Sequence, residues 1–159
     1  MLFRSILTPD KKKIKSWNLS GLKIKKLPEL FGALEILDSL DLSFNSIMKL
    51  PDYFGFIKVG NKIKLANNEL NELPKSFENI TINILFLDGN NLTILPEWFY
   101  NIRINLMLNL DYNKNLEISE SFYGIKKFGR ISIFLPNHLK DNEIIKFIKD
   151  DPTFPIIKF

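Results

Sequence analysis

A recurring skeleton of apolar residues dominates this sequence and limits the folds open to it. The stretch "LDSLDLSFNSIMKLPDYF" at residues 37–54 returns as "IKLANNELNELPKSF" at 63–77 and as "LFLDGNNLTILPEWF" at 85–99. A chain with such a period folds as stacked units, because one unit cannot bury its apolar face alone. The second apolar residue of a short LxL core marks the period, at intervals of 22 or 23 residues: Leu19, Leu42, Leu65, Leu87, Leu110 and Ile133.

Three further positions keep the same register. A Leu-Pro pair follows each of the first four cores and becomes Ile118-Ser119 after the fifth, and a phenylalanine and a later aliphatic residue follow each of the first five. The pairs begin at Leu27, Leu50, Leu73 and Leu95, the phenylalanines are Phe31, Phe54, Phe77, Phe99 and Phe122, and the aliphatic residues are Leu34, Ile57, Ile80, Ile102 and Ile125. An aromatic stripe at such regular spacing predicts a stacked spine in the core and argues against a cofactor site.

Each unit predicts one short strand and one buried amide. Alternating leucines place apolar side chains on one face of a strand, and stacked strands then form a parallel sheet. We expect these strands at about residues 17–20, 40–43, 63–66, 85–88, 108–111 and 131–134. The amides of Asn45, Asn68, Asn90 and Asn113 follow the strands, where they can pair with backbone groups that the turn would otherwise leave buried and unpaired.

The pattern resembles the leucine-rich repeat family, whose core reads L-x-x-L-x-L-x-x-N-x-L. It is met by Leu37, Leu40, Leu42, Asn45 and Ile47, and again by Ile82, Leu85, Leu87, Asn90 and Leu92. The 23-residue length with "LPxxF" is similar to the typical subclass. The resemblance implies an α/β solenoid: a right-handed, curved stack of short parallel strands with an irregular or short-helical convex side.

Departures from the family pattern occur toward both ends. Leu22 and Pro136 stand where asparagine is expected. The fifth repeat has Asn115 in place of the apolar residue, and Leu116 comes one place late.

We predict a single domain over residues 1–159. Residues 1–13 would form an N-terminal cap, residues 14–139 about five and a half repeats, and residues 140–159 a C-terminal cap helix and tail. Asp141 is the expected helix N-cap, and Asp151-Pro152 should end the helix. The tail is expected to lie across the last repeat.

The sequence predicts no enzyme and no cofactor. The chain has no cysteine, one histidine at His138 that we interpret as a surface or cap residue, and no glycine-rich phosphate loop. Asp88 and Asp111 occupy the same position in adjacent strands, so their side chains should be about 5 Å apart. Such a pair can bind calcium or raise one pKa, but it can also be a solvated pair. We favour the solvated pair and predict no metal site.

The predicted location is the cytoplasm, as a monomer without a membrane span. No apolar run approaches the 18 or so residues of a membrane helix. The first residues lead into lysines and not into a small-residue cleavage site, so they are a poor secretory signal. Secretion by a route without a signal peptide stays open.

Lysines near the N-terminus suggest one possible function. The chain carries a net charge of +4, and its basic residues cluster before and within the first repeat, at Lys11, Lys12, Lys13, Lys15, Lys23, Lys25 and Lys26. This cluster can attract nucleic acid or an anionic surface. Nucleic acid is the less favoured partner, because no aromatic side chains interleave with the lysines for base stacking.

The outward side chains of the strands, which the resemblance places on a concave face, suggest the favoured function. They are polar in the first repeats and apolar in later ones, and clustered outward apolar groups mark interaction sites. The predicted partner-binding residues are Phe44, Ile84, Phe86, Asp88, Met107, Asn109, Asp111 and Tyr112. Two alternatives remain, a slip of the register by one residue and coverage of the patch by the tail.

The predicted function is therefore that of a non-enzymatic protein–protein interaction module. The family resemblance implies a recognition scaffold that binds a protein partner on the concave face. Proteins of this kind include some that bacteria direct at host cells, so the resemblance also suggests that role.

Overall fold

The computed structural model describes residues 14–159, so the cap expected at residues 1–13 lies outside the described residues. Within 14–159 the strands all run parallel in one sheet, in the order β1-β2-β4-β5-β6-β7-β8, with β3 beside β2. The strands are β1 Ile14–Asn18, β2 Glu35–Asp41, β3 Lys58–Val59, β4 Lys62–Lys64, β5 Thr81–Phe86, β6 Arg103–Asn109, β7 Ser132–Phe134 and β8 Ile156–Lys158.

Short 3-10 helices carry the chain from one strand to the next, and they pack on one another along the other side of the core. They span Glu29–Ala33, Phe54–Phe56, Lys75–Asn79, Glu97–Asn101 and Glu120–Phe128, and a sixth spans Asn137–Leu139. The predicted stack of parallel strands with a short-helical opposite side is confirmed.

Five of the six predicted strands begin earlier than expected, and a bulge interrupts the pairing of β1 with β2. Ile36 and Ser39 of β2 pair with Ile14 and Ser16 of β1. Two residues lie between Ile36 and Ser39, but only one lies between Ile14 and Ser16. The pattern residue Leu37 is therefore 48% exposed, and Ile36, 1% exposed, fills the core in its place. Past the strand end, inter-repeat backbone bonds continue, as from Leu42 N to Lys64 O (2.8 Å). The expected segments are thus paired, although β1, β2, β4, β5 and β6 begin and end earlier than predicted, while β7 at Ser132–Phe134 agrees to within one residue.

The interval from Leu65 to Leu87 is 22 residues and not 23, because β5 lacks the extra residue that forms this bulge in β2 and β6. Two residues lie between the paired Ile104 and Met107 of β6, but only Asn83 lies between their partners Ile82 and Ile84 in β5. The fourth repeat is shorter by this one residue. The core is unaffected, because Ile82, Ile104 and the leucines of both strands stay buried.

The predicted amide ladder is present. Asn90 Nδ2 donates to Leu65 O of the preceding repeat and to Leu87 O of its own, each at 2.9 Å, and its Oδ1 accepts from Leu70 N at 3.0 Å. Asn45, Asn68 and Asn113 repeat this arrangement. Each amide satisfies groups in two repeats, so the ladder fixes the stacking distance as well as the turn.

The phenylalanine spine is also present. Phe31 stacks on Phe54 and Phe54 on Phe77, with centroids 6.1 and 5.9 Å apart and nearly parallel rings. Trp17 extends the stack at its N-terminal end, 5.7 Å from Phe31. Farther along, Phe99 packs edge-on against Phe128. The spine residues of the five repeats are at most 1% exposed, as expected of core aromatics.

The irregular fifth repeat closes the ladder differently. Leu116 is fully buried although it comes one place late, and its carbonyl would be left without the next repeat's backbone donor. His138 Nε2 lies 2.8 Å from Leu116 O, and since a carbonyl only accepts, the ring nitrogen donates. His138 is thus a cap residue, and Pro136 holds the position of the missing asparagine.

The C-terminal segment contains the predicted helix and an unpredicted strand. Helix α1 spans Glu143–Asp150, and its N-cap is Asn142, not Asp141, because Asn142 Oδ1 accepts from Ile144 N at 2.9 Å. The tail lies against the last repeat in a form that was not predicted. It forms β8, which pairs with β7 and extends the sheet by one strand.

Candidate partner-binding face

The sheet face opposite the core, here called the concave face, presents parallel rows of outward side chains. One row runs Ser39, Lys62, Ile84, Met107, Ser132 and Ile156, and the next runs Asp41, Lys64, Phe86, Asn109, Phe134 and Lys158. Ile84 and Met107 are direct neighbours, as the sequence predicted, and both remain partly exposed. Leu85 and Leu108, which directly follow Ile84 and Met107, are buried, so the register does not slip by one residue.

The tail leaves this patch open. β8 lies beyond β7, two strands away from β6 in the sheet order. It adds Ile156, 51% exposed, to the first row, while Lys158 places its ammonium 5.1 Å from the centre of the Phe134 ring. These additions were not predicted, since nothing in the repeat pattern marks the tail as a strand.

Polar groups in the N-terminal half of the concave face pair with one another. Lys64 Nζ lies 2.9 Å from Asp41 Oδ2, and Ser43 N donates to Asp41 Oδ1 at 3.0 Å. Burial alone would raise the pKa of Asp41, but the hydrogen bonds from Lys64 and Ser43 hold it below its usual value. This half of the face is therefore largely self-satisfied.

A second polar ladder, which our sequence analysis missed, runs along the strand bulges. Asn105 Nδ2 donates to Asn83 Oδ1 at 2.9 Å, Asn83 to Asn61 Oδ1 at 3.3 Å, and Asn61 to Asp38 Oδ1 at 3.1 Å. Ser16 donates to Asp38 Oδ2, and these hydrogen bonds hold the pKa of Asp38 low. The intervals of 22 or 23 residues between these side chains were the available signal.

Phe86 stands at a position where three repeats carry a side-chain acceptor with a structural task, while Lys64 and Phe134 lack such an acceptor as Phe86 does. At the same position, Asn18, Asp41 and Asn109 each accept a hydrogen bond from the backbone N–H two residues later. The phenylalanine cannot accept this bond. Phe86 therefore gives up a local hydrogen bond and leaves an aromatic ring partly exposed.

The carboxyl group of Asp88 lies two residues after Phe86 and is poorly satisfied. Asp88 Oδ1 is shielded from solvent and has no hydrogen-bond partner among the described residues. Burial raises the pKa of the Asp88 carboxyl above its usual value, and the charge of Asp111 adds to the rise, while the backbone N–H of Asp88 itself opposes it. Asp111 differs, since its Oδ1 accepts from Tyr112 N at 2.7 Å. The predicted pair is thus unequal, with Asp88 the less well satisfied carboxylate.

Phe44 and Tyr112 occupy strained backbone positions. The residue just before each ladder asparagine has a positive φ, between 53° and 64°, at Phe44, Asn67, Gly89 and Tyr112. Glycine and asparagine suit this conformation, whereas a bulky residue adopts it at a cost. Gly89 is further constrained, because a Cβ there would lie 2.6 Å from Asn67 Oδ1. Phe44 and Tyr112 are nonetheless aromatic and 65% and 69% exposed.

The structure does not bring all eight predicted residues together. Seven of them lie on β5 and β6 or just past their ends. Phe44 follows β2 and is separated from β5 by β4. Phe44 and Tyr112 occupy the same position of their repeats and both have a positive φ, but they lie on different parts of the face.

Residues 14–159 contain neither a metal-binding cluster nor a membrane-spanning helix. No group of three or more histidine, cysteine, aspartate or glutamate side chains is placed to hold a metal ion within that range, and none of its helices is long and apolar enough to cross a membrane. Lys15, Lys23, Lys25 and Lys26 are exposed, whereas Lys11, Lys12 and Lys13 lie outside the described residues.

Comparison with known proteins identifies the repeat. The family model for the leucine-rich repeat matches residues 37–57 and 81–102, which are the second and fourth units of the stack. A search of curated proteins found no match. Leucine-rich repeat domains generally mediate protein–protein interaction and are typically non-enzymatic.

Proposed function

Because the chain is a leucine-rich repeat protein, we propose that it is a protein–protein interaction module that binds its partner on the concave face of β5 and β6. The observation that carries this proposal is a group of outward side chains on β5, β6 and the turns that follow them, which the core of the fold does not need. Phe86 gives up a backbone hydrogen bond, Asp88 is left unsatisfied, and Tyr112 is a strained, exposed aromatic. Local rules broken without structural gain are typical of functional sites.

The apolar part of the patch supports the same site. Ile84 and Met107 pair across the two strands, and Phe86 and Asn109 pair beside them. These outward side chains are not needed for the core, which Leu85 and Leu108 fill. Aromatic residues and methionine are enriched at the centres of protein interfaces. Phe86 is therefore the proposed anchor of the contact.

A quantitative binding experiment tests this function. A partner recovered with the wild-type protein is purified, and its affinity is measured for wild type, Phe86→Ala and the control Phe56→Ala. Phe56 is 53% exposed but lies in a 3-10 helix away from the strands. We expect Phe86→Ala to weaken binding by at least about tenfold, as for a central aromatic anchor. Loss of binding in the control alone would place the contact away from the concave face.

The alternative, a binder of nucleic acid or anionic surfaces, rests on the exposed lysines of the first repeat. It is tested with a single-stranded oligonucleotide and with vesicles containing phosphatidylserine, each at 50 and 200 mM salt. Binding to phosphates falls by orders of magnitude over about this salt range, whereas an apolar contact changes little. Steep salt dependence that is lost when Lys23, Lys25 and Lys26 are replaced by glutamine would favour this alternative. A role in acting on host cells stays a prediction from the family resemblance.

A further inference from the structure

The charge pattern of the concave face is uneven and indicates what the partner presents. Asp41 is neutralised by Lys64 of the neighbouring strand. By contrast, Asp88 and Asp111 form no ion pair within residues 14–159. Neither 84–89 nor 107–112 contains a lysine or an arginine, although the chain as a whole carries a net charge of +4. The centre of the proposed interface is thus locally acidic on a basic protein.

On the premise of the proposed function, we propose that the docked partner segment carries a lysine or arginine whose charged group sits between Asp88 and Asp111. An apolar neighbour in the same segment rests on Ile84, Phe86 and Met107. The occupant is a basic–apolar stretch of another protein, recognised by one cation at two carboxylates. An acidic segment fits the end of the patch at Asp88 and Asp111 poorly, because it would face both carboxylates there, whereas the neighbouring Lys62 and Lys64 lie beside Ile84 and Phe86 at the other end.

The environment of Asp88 supports a cationic occupant. Its Oδ1 is an acceptor without a donor, and burial together with the neighbouring Asp111 makes its charge unfavourable in the free protein. A bound ammonium or guanidinium group beside the two carboxylates offsets the repulsion between them. Lysine and arginine are suited to this, since both carry a charged group with several N–H donors and no acceptor.

Neighbouring side chains suit the rest of a lysine or arginine. Tyr112 follows Asp111 directly, is 69% exposed and offers its ring face to a cation. The long aliphatic stem of such a residue packs on apolar surface while its charged end stays at a polar group. Phe86, the last residue of β5 and two residues before Asp88, offers that apolar surface.

The test uses a random dodecapeptide library displayed on phage and selected on the immobilised full chain. Selected peptides are synthesised, and their affinities are measured for wild type, Asp88→Asn, Asp111→Asn and the control Glu97→Gln. Asparagine keeps an oxygen that can accept from Tyr112 N, so the Asp111→Asn change removes charge and preserves the backbone contact. Glu97 is exposed in a 3-10 helix, and its change alters the net charge equally.

The expected result is that selected peptides share a lysine or arginine. Each aspartate variant then binds at least about tenfold more weakly, as when one partner of a desolvated charge pair is truncated, while the control is unchanged. Replacing the shared basic residue by norleucine removes the cation from both carboxylates and gives a loss at least as large in wild type. In Asp111→Asn the same replacement gives a smaller loss than in wild type, because only Asp88 still faces the cation.

Opposing results separate this inference from the proposed function. Peptides that bind Phe86→Ala weakly but both aspartate variants at full strength would overturn the inference and leave the concave-face function standing. Peptides unaffected by all three substitutions would overturn both. Selection of peptides without a basic residue, or no enrichment over the Phe86→Ala variant, would also overturn the inference.

Discussion

The side-chain amide of Asn68 donates to the backbone carbonyl of Leu42, 3.0 Å away and one repeat earlier in the stack. The oxygen of the same side chain accepts from Ile47 N, also at 3.0 Å. One buried side chain therefore satisfies a donor and an acceptor of the preceding repeat, in addition to Leu65 O of its own. Stacking and turn formation are thus coupled, and removal of the amide should affect both.

We expect Asn68→Ala to lower the free energy of unfolding by roughly 1–3 kcal/mol, because buried backbone groups lose their partner. The control is Asn91→Ala, at an exposed position, which should change stability by no more than about 0.5 kcal/mol. Urea denaturation followed by circular dichroism measures both. Equal midpoints for Asn68→Ala and wild type would show that the amide ladder does not stabilise the stack.

The two isoleucines of β8 provide a matched pair. Ile157 is 9% exposed and packs on the last repeat, whereas its neighbour Ile156 is 51% exposed on the opposite face. We expect Ile157→Ala to cost about 2 kcal/mol, at the low end for a buried aliphatic residue because the site lies at the sheet edge. Ile156→Ala should cost no more than about 0.5 kcal/mol. Similar losses for the two variants in thermal or urea unfolding would contradict the burial of β8.

The aromatic residues with positive φ should be replaceable without loss of stability. Asparagine tolerates the left-handed conformation, as at Asn67, so Phe44→Asn and Tyr112→Asn should change the free energy of unfolding by between zero and a gain of about 1 kcal/mol. The reverse change, Asn67→Phe, should destabilise the protein. Losses greater than about 1 kcal/mol in the asparagine variants would assign the rings a packing role instead of a role in partner binding.

The stability of Asp88→Asn relative to wild type should depend on pH. The folded state raises the pKa of this carboxyl through burial and the charge of Asp111, so the folded protein holds the proton to a higher pH than the unfolded chain does. Stability from this group therefore falls as pH rises from the unfolded pKa through the folded one. We expect the free energy of unfolding of the variant, relative to that of wild type, to increase from pH 4 to pH 7.5 in urea denaturation.

Asp151→Asn serves as the control of opposite sign. Hydrogen bonds from the hydroxyl and backbone N–H of Thr153 lower the pKa of Asp151, so its contribution is present at neutral pH and is lost as pH falls. The free energy of unfolding of this variant should therefore decrease, relative to that of wild type, as pH rises. A pH-independent difference for Asp88→Asn would contradict the unfavourable burial of its charge.

The sequence determined the repeat architecture because its cause is local and periodic. Residues such as Leu42, Leu65 and Leu87 recur at the stacking interval, and only a parallel stack buries them all. The amide of Asn68 could be assigned from sequence for the same reason, since a buried asparagine after a short strand needs backbone partners. The outward positions of Ile84, Phe86 and Met107 followed from the same alternation.

Tertiary structure alone decided what lies outside the period. The tail has no repeat pattern, and β8 forms because the last repeat leaves a sheet edge with unpaired backbone groups, where Leu135 N finds Lys158 O at 2.9 Å. Likewise, no local pattern shows that Asp41 has a cation partner while Asp88 has none. That difference depends on which residues of neighbouring repeats lie beside them, Lys64 in one case and Asp111 in the other. The period fixes positions, but the pairing of charges is fixed only by contacts across the stack.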